Sequence, residues 1–85
     1  MGSVRFSSAA WEDYLYWQQQ DKKTLRRIND LITNCMRDPY MGIGKPEPLK
    51  GNLTGWWSRR ITETDRMVYK KAGEVLLIAQ LRYHY

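Results

Sequence analysis

The sequence predicts a single α+β domain in which an N-terminal helical hairpin covers one face of a β meander. The chain has 85 residues, which leaves room for only one hydrophobic core. Apolar residues recur at helical spacing over the first 38 residues, and they alternate with polar residues from residue 56 onward. Helices that precede a run of strands are typical of α+β domains, so residues 1–85 are interpreted as one domain of this class.

The first helix is predicted to start at Ser8, after a short strand at residues 4–6. A serine at this position can accept a hydrogen bond from a backbone N–H group that has no partner inside the helix. Trp11, Tyr14, Leu15 and Gln18 then share a face of this helix, so it is expected to bury mostly aromatic side chains. Core packing is the favoured role of the rings of Trp11, Tyr14 and Trp17, and a base-stacking platform is the alternative.

A second helix is predicted from Asp21, which can cap it, to Asp38, where the following proline disfavours helical geometry. Its apolar positions recur at spacings of three, four and three residues, as on one face of an amphipathic helix. These positions are Leu25, Ile28, Ile32 and Cys35. The two helices together are expected to form an antiparallel hairpin, with the cysteine as an inert core residue.

Residues 39–55 are predicted to form a long loop, because seven of these seventeen residues are glycine or proline and all three prolines of the chain are among them. Loops of this length in compact domains are usually functional or disordered. Glu47 lies between two prolines, which hold the backbone extended and restrict where the carboxylate can point. The loop therefore presents an acidic side chain in a constrained position.

Alternation of apolar and polar residues typical of strands begins at Trp56. Residues 62–65 and 72–73 have the composition of turns, and the strongest strand pattern runs over 75–83. Trp56 and Trp57 are adjacent, so in a strand they point to opposite faces. One of them is expected in the core, and the other at an interface or on RNA.

The alternation also predicts which side chains share a face of the sheet. An odd hairpin loop at 63–65 pairs Ile61 with Met67 and keeps Arg60 and Arg66 together on the opposite face, whereas an even loop would bury an arginine or expose an apolar residue. In the last strand, the face expected to pack on the helices carries Val75, Leu77, Ala79 and Leu81. The other face of the sheet is then expected to carry Gln80, Arg60, Arg66, Arg82 and His84, close to Glu47.

The charge of the chain is unevenly distributed. The formal net charge is +5, of which residues 1–44 carry +1 (6 basic and 5 acidic groups) and residues 45–85 carry +4 (8 basic and 4 acidic groups). A basic half that also contains aromatic residues indicates a polyanionic partner, most simply nucleic acid. On charge alone, a solvated basic surface is an equally favoured alternative.

Composition excludes several classes of protein. One cysteine rules out an intramolecular disulfide, and one cysteine with one histidine cannot supply the four ligands of a structural zinc site. No apolar run approaches the roughly 20 residues of a membrane span, so no membrane association is expected. The first residues lack the apolar core of a secretion signal, which predicts a cytoplasmic protein.

Glu47, His84 and Arg66 have the side chains that phosphodiester cleavage requires. Attack by a ribose 2′-hydroxyl needs a base, the leaving 5′-oxygen needs an acid, and the added negative charge on phosphorus needs fixed cations. These residues can fill the three roles without a metal ion. Each also has a simpler interpretation, since Glu47 can pair with a loop lysine, the arginines can be solvated edge charges, and His84 can belong to a frayed terminus.

Four segments of the chain are similar to YoeB-type toxins of the RelE superfamily. They are Trp11–Gln18 (WEDYLYWQ), Gly44–Lys50 (GKPEPLK), Trp57–Thr62 (WSRRIT) and Arg82–Tyr85 (RYHY). The similarity covers nearly the whole chain without a long insertion, and the last three runs in this order are highly specific. The start departs from the family's pattern at Gly2-Ser3.

This resemblance implies a bacterial toxin of a type II toxin–antitoxin pair. Family members are metal-independent endoribonucleases that enter the ribosomal A site and cut the messenger RNA there. The implied fold is RelE-like, a small, twisted, mostly antiparallel sheet beside an N-terminal helical pair. The implied partners are the messenger, the ribosome and a cognate antitoxin, in the bacterial cytoplasm and without a cofactor, and an exposed Trp56 or Trp57 also suits a homodimer.

The resemblance further implies a role for each site residue. Glu47 resembles the general base, His84 the general acid and Arg66 the group that stabilises the transition state, with Tyr85 at the edge of the same site. The residues expected to bind phosphate or RNA are Lys50, Arg59, Arg60 and Arg82. Two alternatives use the same basic face without cleavage: a ribosome- or RNA-binding module that blocks translation by occupancy, and a module that binds an acidic protein segment.

Overall fold

Two consecutive helices pack on one face of a five-stranded sheet in the structure, a computed structural model that describes residues 2–85. The strands are β1 (Ser3–Phe6), β2 (Glu47–Pro48), β3 (Trp57–Arg60), β4 (Arg66–Ala72) and β5 (Val75–Gln80). The helices are α1 (Ser8–Gln20) and α2 (Lys22–Arg37), and a 3₁₀ turn occupies Gly51–Leu53. The predicted α+β class is confirmed. Within residues 2–85, no helix has the length and apolar character needed to cross a membrane.

The strand order across the sheet is β1-β5-β4-β3-β2. β1 pairs in parallel with β5, and the other neighbouring strands pair antiparallel, so the sheet is mostly antiparallel, as expected. Because β1 leads directly into both helices and yet lies beside the last strand, the helical hairpin is held against one face of the sheet. The opposite face is left uncovered by helices, and we call it the open face.

Polar side chains cap the start of both helices. The α1 cap is Ser7 and not Ser8, because Ser7 Oγ accepts a hydrogen bond from the N–H of Ala10 at 3.0 Å and donates one to the carbonyl of Ala79 at 2.8 Å. The same hydroxyl therefore caps the helix and fastens it to β5, a long-range contact that local spacing does not reveal. Asp21 caps α2, as predicted.

The aromatic face of α1 is only partly buried, contrary to expectation. Trp17 is 9% exposed, whereas Trp11 is 48% exposed. Trp11 and Tyr14 stack with ring centroids 5.7 Å apart, and both make edge contacts with Phe6 of β1. The rings of Trp11 and Tyr14 therefore cover the end of β1. The expectation differed because helical periodicity alone does not tell which part of an apolar face meets the sheet.

The core lies between the helices and the sheet. The helices contribute Ala10, Trp17, Ile28, Leu31 and Cys35, and the sheet and its connections contribute Ile61, Met67, Tyr69, Leu76, Ile78 and Leu81. Burial raises the pKa of the Cys35 thiol, which keeps it protonated and unreactive. The predicted core positions of Ile28 and Cys35 are confirmed. Leu25 and Ile32 are only partly buried, and Leu31, outside the predicted stripe, is fully buried.

The β3–β4 hairpin confirms the predicted faces but not the predicted pair. Arg60 lies opposite Arg66, so Ile61 does not pair with Met67. The connecting loop therefore spans 61–65, and it closes on hydrogen bonds between its own threonine and aspartate groups. This loop is two residues longer than predicted but still odd in number, so no side chain changes face.

A β-bulge interrupts the pairing of β4 with β5. Val68 pairs with Gln80, but Tyr69 pairs with Ile78, so Ala79 is an extra residue on β5. Because successive side chains of a strand point to opposite faces, an extra residue moves every side chain on one side of it to the other face. The bulge therefore changes which part of β5 faces the helices.

The predicted core side of β5 is consequently wrong over most of the strand. Leu76 and Ile78 fill the core, with exposed fractions of 0% and 1%. The residues that the bulge turns toward the open face are Val75, Leu77 and Ala79. Leu81, beyond the bulge, is fully buried as predicted. The strand also ends at Gln80, short of Tyr83, because residues 81–83 bond to α1 and to the start of β4.

Candidate functional site

Four residues from four strands pair in register across the open face, and we call them the central row: Glu47, Ser58, Val68 and Gln80. Neighbouring strands are separated by about 4.8 Å. Ser58 and the predicted base Glu47 are therefore direct cross-strand neighbours, and their side chains lie on the same face. The central row crosses the sheet from the edge strand β2 to β5 and provides the frame for the site.

Backbone hydrogen bonds hold the chain on both sides of Glu47. On one side, the carbonyl of Gly44 accepts a hydrogen bond from the N–H of Arg60 at 2.7 Å; on the other, the N–H of Leu49 donates to the carbonyl of Trp56 at 2.9 Å. Leu49 is buried and anchors the segment. The predicted loop thus contains a short strand, and the exposed Glu47 side chain starts from a fixed point at the sheet edge.

Arg60 and Arg66 lie directly opposite each other on β3 and β4, next to the central row. Like charges at opposed positions destabilise a sheet, so a bound anion would relieve this pair. Arg66 is largely buried, and its Nη1 donates to the carbonyls of Thr62 at 2.7 Å and Asp65 at 3.1 Å. Arg60 is exposed. One guanidinium is therefore fixed in place while the other projects toward solvent.

The C-terminal tail, residues 81–85, turns at Tyr83. This residue has a φ of 67°, a left-handed conformation that is uncommon for a bulky side chain. Its N–H donates to Asp65 Oδ1 at 2.7 Å, and its carbonyl accepts a hydrogen bond from the N–H of Arg66 at 3.0 Å. The tail is therefore fastened to the same short segment that carries the predicted transition-state arginine.

His84 and Tyr85 reach back to the middle of the central row. Ser58 Oγ donates a hydrogen bond to the Tyr85 hydroxyl at 3.3 Å. The His84 ring stacks on the Tyr85 ring with centroids 4.6 Å apart, and both residues are exposed. Because Ser58 is also the cross-strand neighbour of Glu47, the candidate base and the candidate acid lie on one surface.

Helix α1 holds the root of the tail at Leu81. The indole Nε1 of Trp17 donates to the carbonyl of Leu81 at 2.7 Å, and the N–H of Leu81 donates to Asp13 Oδ2 at 3.0 Å. Burial raises the pKa of Asp13, although the hydrogen bond from Leu81 opposes this change. All of these contacts precede His84, so the root of the tail does not depend on the last two residues.

Arg82 does not join the arginines of the open face. Its guanidinium carbon lies 3.5 Å from the centroid of the Tyr16 ring on α1 and 4.5 Å from that of the Tyr83 ring. These are cation–π distances, and they hold the tail to the helix layer. The bend after β5 directs Arg82 toward α1, so the prediction that it shares the open face with Arg60 and Arg66 is wrong.

Arg59 is the clearest departure from the predicted site. It is fully buried on the core face of β3, and all five of its N–H donors are hydrogen-bonded. The acceptors are the Tyr69 hydroxyl, the Asn34 side chain and the carbonyls of Asp38, Met41 and Ile43. An arginine that has every donor engaged inside the protein has none to offer a phosphate. The prediction that Arg59 binds RNA is therefore wrong, and its role is to support the fold.

Arg59 organises the loop at 38–43 together with Tyr69. The Tyr69 hydroxyl donates to the carbonyl of Pro39 at 2.5 Å and accepts a hydrogen bond from Arg59 Nε at 3.2 Å. Burial raises the pKa of Tyr69 to about 12, so the phenol keeps the proton that it donates. A buried arginine and a buried tyrosine thus satisfy loop carbonyls that no strand reaches.

Lys50 is exposed and lies two residues beyond β2, at the edge of the sheet that carries Glu47.

Two residues that support the site, Ser58 and Asp65, were not predicted. Asp65 could have been recognised from the sequence, because it follows Thr62 at a spacing typical of turns closed by side chains. No local sequence pattern identifies Ser58, whose role depends on the position of the C-terminal tail. Among the described residues, no group of three or more His, Cys, Asp or Glu side chains is arranged to hold a metal ion.

Sequence comparison relates nearly the whole chain to a family of known toxins. The profile of the family described as "YoeB-like toxin of bacterial type II toxin-antitoxin system" matches residues 6–85. The chain is 55% identical over 82 residues to Toxin YoeB of Streptomyces coelicolor, covering 96% of this chain and 98% of that protein. It is 56% identical over 80 residues to Toxin YoeB of Escherichia coli K12, covering 94% and 95% of the two chains.

Solved structures extend this relation to the fold. The YoeB/ParE toxin from Agrobacterium tumefaciens matches with a TM-score of 0.92 at 47% identity, over 100% of both chains. A chain of the heterotetrameric YoeB-YefM toxin-antitoxin complex from Staphylococcus aureus matches with a TM-score of 0.91 at 46% identity, over 100% of this chain and 99% of that chain. Sequence and structure agree over the full length, and the chain therefore belongs to the family of YoeB-like toxins of bacterial type II toxin–antitoxin systems.

Proposed function

We propose that the chain is a ribosome-dependent endoribonuclease that cuts messenger RNA in the ribosomal A site and thereby inhibits translation. The observation that carries the proposal is the common face shared by Glu47, Arg66 and His84, which come from three separate segments of the chain. Their surroundings are basic, since residues 45–85 carry a net charge of +4. A base, an acid and a fixed cation on one basic face suit cleavage of a phosphodiester.

Each step of the proposed reaction has a side chain in this site. The Glu47 carboxylate removes the proton of a ribose 2′-hydroxyl, and the 2′-oxygen forms a bond to the adjacent phosphorus. The bond from phosphorus to the 5′-oxygen breaks, and protonated His84 gives its proton to that leaving oxygen. The products are a 2′,3′-cyclic phosphate and a free 5′-hydroxyl, so the step consumes neither a cofactor nor an oxidant.

Arg66 is the proposed stabiliser of the negative charge that develops on phosphorus. Its Nη1 is held by two carbonyls of the 62–65 turn, so the guanidinium is oriented before the substrate arrives. Arg60 and Lys50 are exposed at the rim and are proposed to bind the neighbouring phosphates. Tyr85 is proposed to position the acid, because its ring stacks on His84.

The ribosome is proposed to complete this site. Glu47, His84 and Tyr85 are all exposed, so in the free chain bulk water surrounds the groups that must move protons. A surface that closes over them would exclude water and strengthen the electrostatic interactions within. The messenger held in the A site would also be presented in a defined geometry, which lowers the entropic cost of reaching a reactive arrangement.

A cognate antitoxin is the proposed inhibitor of the chain. YoeB of Staphylococcus aureus has been solved in complex with YefM and also as a dimer. We propose that an antitoxin segment with acidic side chains likewise covers Arg60 and Arg66 of this chain and excludes RNA. A homodimer of this chain is proposed because YoeB of Staphylococcus aureus has been solved as a dimer.

Primer extension on a defined messenger in a purified translation system tests the proposed function. With ribosomes present, the wild-type chain is expected to produce discrete cuts where the ribosome stalls, and none on the same messenger without ribosomes. Blocked translation on an intact messenger would instead identify an inhibitor that acts by occupancy. Binding to an acidic peptide, with neither cleavage nor blocked translation, would identify a protein-interaction module.

Deleting His84 and Tyr85 is expected to abolish cleavage, because the deletion removes the proposed acid and the ring that orients it. The fold is expected to survive, since the contacts of Leu81 with α1 and the contacts of Tyr83 with the 65–66 segment all precede the deletion. Primer extension measures the first effect, and thermal unfolding followed by circular dichroism measures the second.

The point variant His84→Ala is the matched control for the deletion, because it keeps the full tail. It is expected to lose cleavage while its unfolding curve overlays that of the wild type. Loss of a cooperative unfolding transition in the deleted chain would show that the tail supports the fold, and a catalytic role could not then be assigned from the deletion.

A further inference from the structure

A groove of about 300 Å³ lies on the open face beside the central row. Its walls come from the end of β1, from residues 77–79 of β5, and from Trp56, which precedes β3. Leu77 and Ala79 reach this surface because the bulge turns them away from the core. Apolar side chains that alternation assigns to the core therefore line an accessible depression instead.

Two basic side chains flank this groove. Arg5 lines it directly and pairs with Leu77 in the β1–β5 ladder. Lys70 pairs with Leu77 from the other side, and its Nζ lies 5.8 Å from the centroid of the Trp56 ring, a cation–π distance. The groove thus combines an apolar floor, one large aromatic ring and two cations, with no acidic residue among those that line it.

The groove and the central row are parts of one continuous surface. Trp56 precedes Ser58 by two residues, and side chains two residues apart along a strand point to the same face, about 7 Å apart. Lys70 likewise follows Val68 by two residues on β4, so both side chains point to the open face. An RNA strand with one phosphate at the central row therefore brings an adjacent nucleotide to the groove.

We propose that this groove is a stacking subsite for an unpaired base of the messenger beside the cleaved linkage. Trp56 is the platform, and Arg5 and Lys70 neutralise the phosphates on either side of that nucleotide. The inference rests on the proposed endoribonuclease function and extends it to a second contact with the same substrate. Aromatic platforms in cationic grooves hold single-stranded nucleic acid with little preference for sequence.

RNA fits this groove better than an acidic protein segment does. A carboxylate side chain would satisfy Arg5 or Lys70 but would leave the apolar floor without a matching surface. A nucleotide supplies both partners, since its base has flat apolar faces and its phosphate carries the negative charge. The groove also adjoins the central row, where the substrate has to lie for Glu47 to reach it.

The variant Trp56→Ala tests this inference through the concentration of messenger-programmed ribosomes that half-saturates cleavage. This concentration is expected to rise about 10–100-fold, the range expected when one base–aromatic stack is lost, while the rate at saturation changes much less. Trp56→Phe keeps a ring and is expected to stay close to the wild type. Met41→Ala removes an exposed apolar side chain from the 38–43 loop, which is bonded to Arg59 on the other face of β3, and is expected to change neither parameter.

Messengers that carry one abasic nucleotide, placed at each position around the cut in turn, separate a base subsite from a structural role. At one position, the abasic nucleotide is expected to raise the half-saturating concentration of the wild type as much as Trp56→Ala does. At that position it is expected to have no further effect on the Trp56→Ala protein, because the base and its platform act as one unit. Additive effects at every position would overturn the proposal. So would a Trp56→Ala protein that loses affinity for an antitoxin but not for the messenger.

The subsite and the proposed function fail in different ways. If the wild type leaves every messenger intact, the endoribonuclease proposal is wrong. Fluorescence anisotropy with a short labelled single-stranded RNA then tests the groove directly. A 10–100-fold weaker complex with Trp56→Ala than with Trp56→Phe would support the subsite, and equal affinities would overturn it.

Discussion

Replacing Arg66 by Ala is expected to slow messenger cleavage by about 10²–10³-fold, the typical effect of removing one preorganised donor from developing negative charge. Arg66 suits this role because the carbonyls of Thr62 and Asp65 hold its Nη1, and because the exposed Arg60 lies opposite it on β3. Single-turnover primer extension with programmed ribosomes in excess measures the rate of the chemical step.

Two further arginine variants make this result interpretable. Arg66→Lys keeps the charge but loses the planar fork of donors, so it is expected to recover only part of the lost rate. Arg37→Ala removes an exposed arginine from the last turn of α2, and its cleavage rate is expected to equal that of the wild type. An Arg66→Ala rate within a few-fold of wild type, in a protein with normal thermal unfolding, would contradict the assigned role.

Replacing Arg59 by Met is expected to lower the free energy of unfolding by about 3–5 kcal/mol, because five acceptors lose their donors inside the protein. A domain of this size has roughly 5–15 kcal/mol of stability in total, so the loss is large. The melting temperature is expected to fall by more than about 12 °C. Circular dichroism of the purified chain as a function of temperature measures the change.

The neighbouring Arg60→Met is the matched control for this prediction, since Arg60 is exposed on the other face of the same strand. Its melting temperature is expected to stay near that of the wild type or rise, because the variant removes the repulsion with Arg66. Equal melting temperatures for Arg59→Met and Arg60→Met would show that the bonds of Arg59 do not support the fold as described.

Helix α2 could be predicted almost to the residue because its determinants are local. Asp21 caps its first turn, and the proline after Asp38 prevents its continuation. Spacing within the helix also placed Ile28 and Cys35 in the core, although it did not single out the buried Leu31. The cap of α1 was less predictable, because Ser7 is chosen over Ser8 by a hydrogen bond to Ala79, far along the chain.

The faces of β5 could not be predicted, because the bulge at Ala79 depends on pairing with a strand that spacing within β5 does not reveal. Perfect alternation assigns Leu77 to the core, whereas the extra residue turns it to the open face. Arg59 is a different case. Alternation places it on the core side with Trp57 and Ile61, but five distant acceptors make a buried arginine acceptable there.

The residue types of the candidate site could be identified from the sequence and from the family resemblance, and their catalytic roles stay a prediction. The contacts that assemble the site could not be predicted. Asp65 fastens Tyr83 in a left-handed conformation, and Ser58 meets the hydroxyl of Tyr85. Both contacts join residues that are far apart in the chain and have no distinctive local pattern. They explain how a terminal histidine reaches the same surface as Glu47.

Primer extension with Glu47→Gln in a purified translation system tests the central claim most directly. The variant keeps the size of the side chain and removes its ability to accept a proton, so cleavage is expected to fall by about 10²–10⁴-fold. Glu63→Gln makes the same change at an exposed turn position and is expected to cut at the wild-type rate. Discrete cuts by Glu47→Gln at the wild-type rate would contradict the role of Glu47 as the base. Arrest of translation on an intact messenger by the wild type, Glu47→Gln and Glu63→Gln alike would contradict the proposed cleavage.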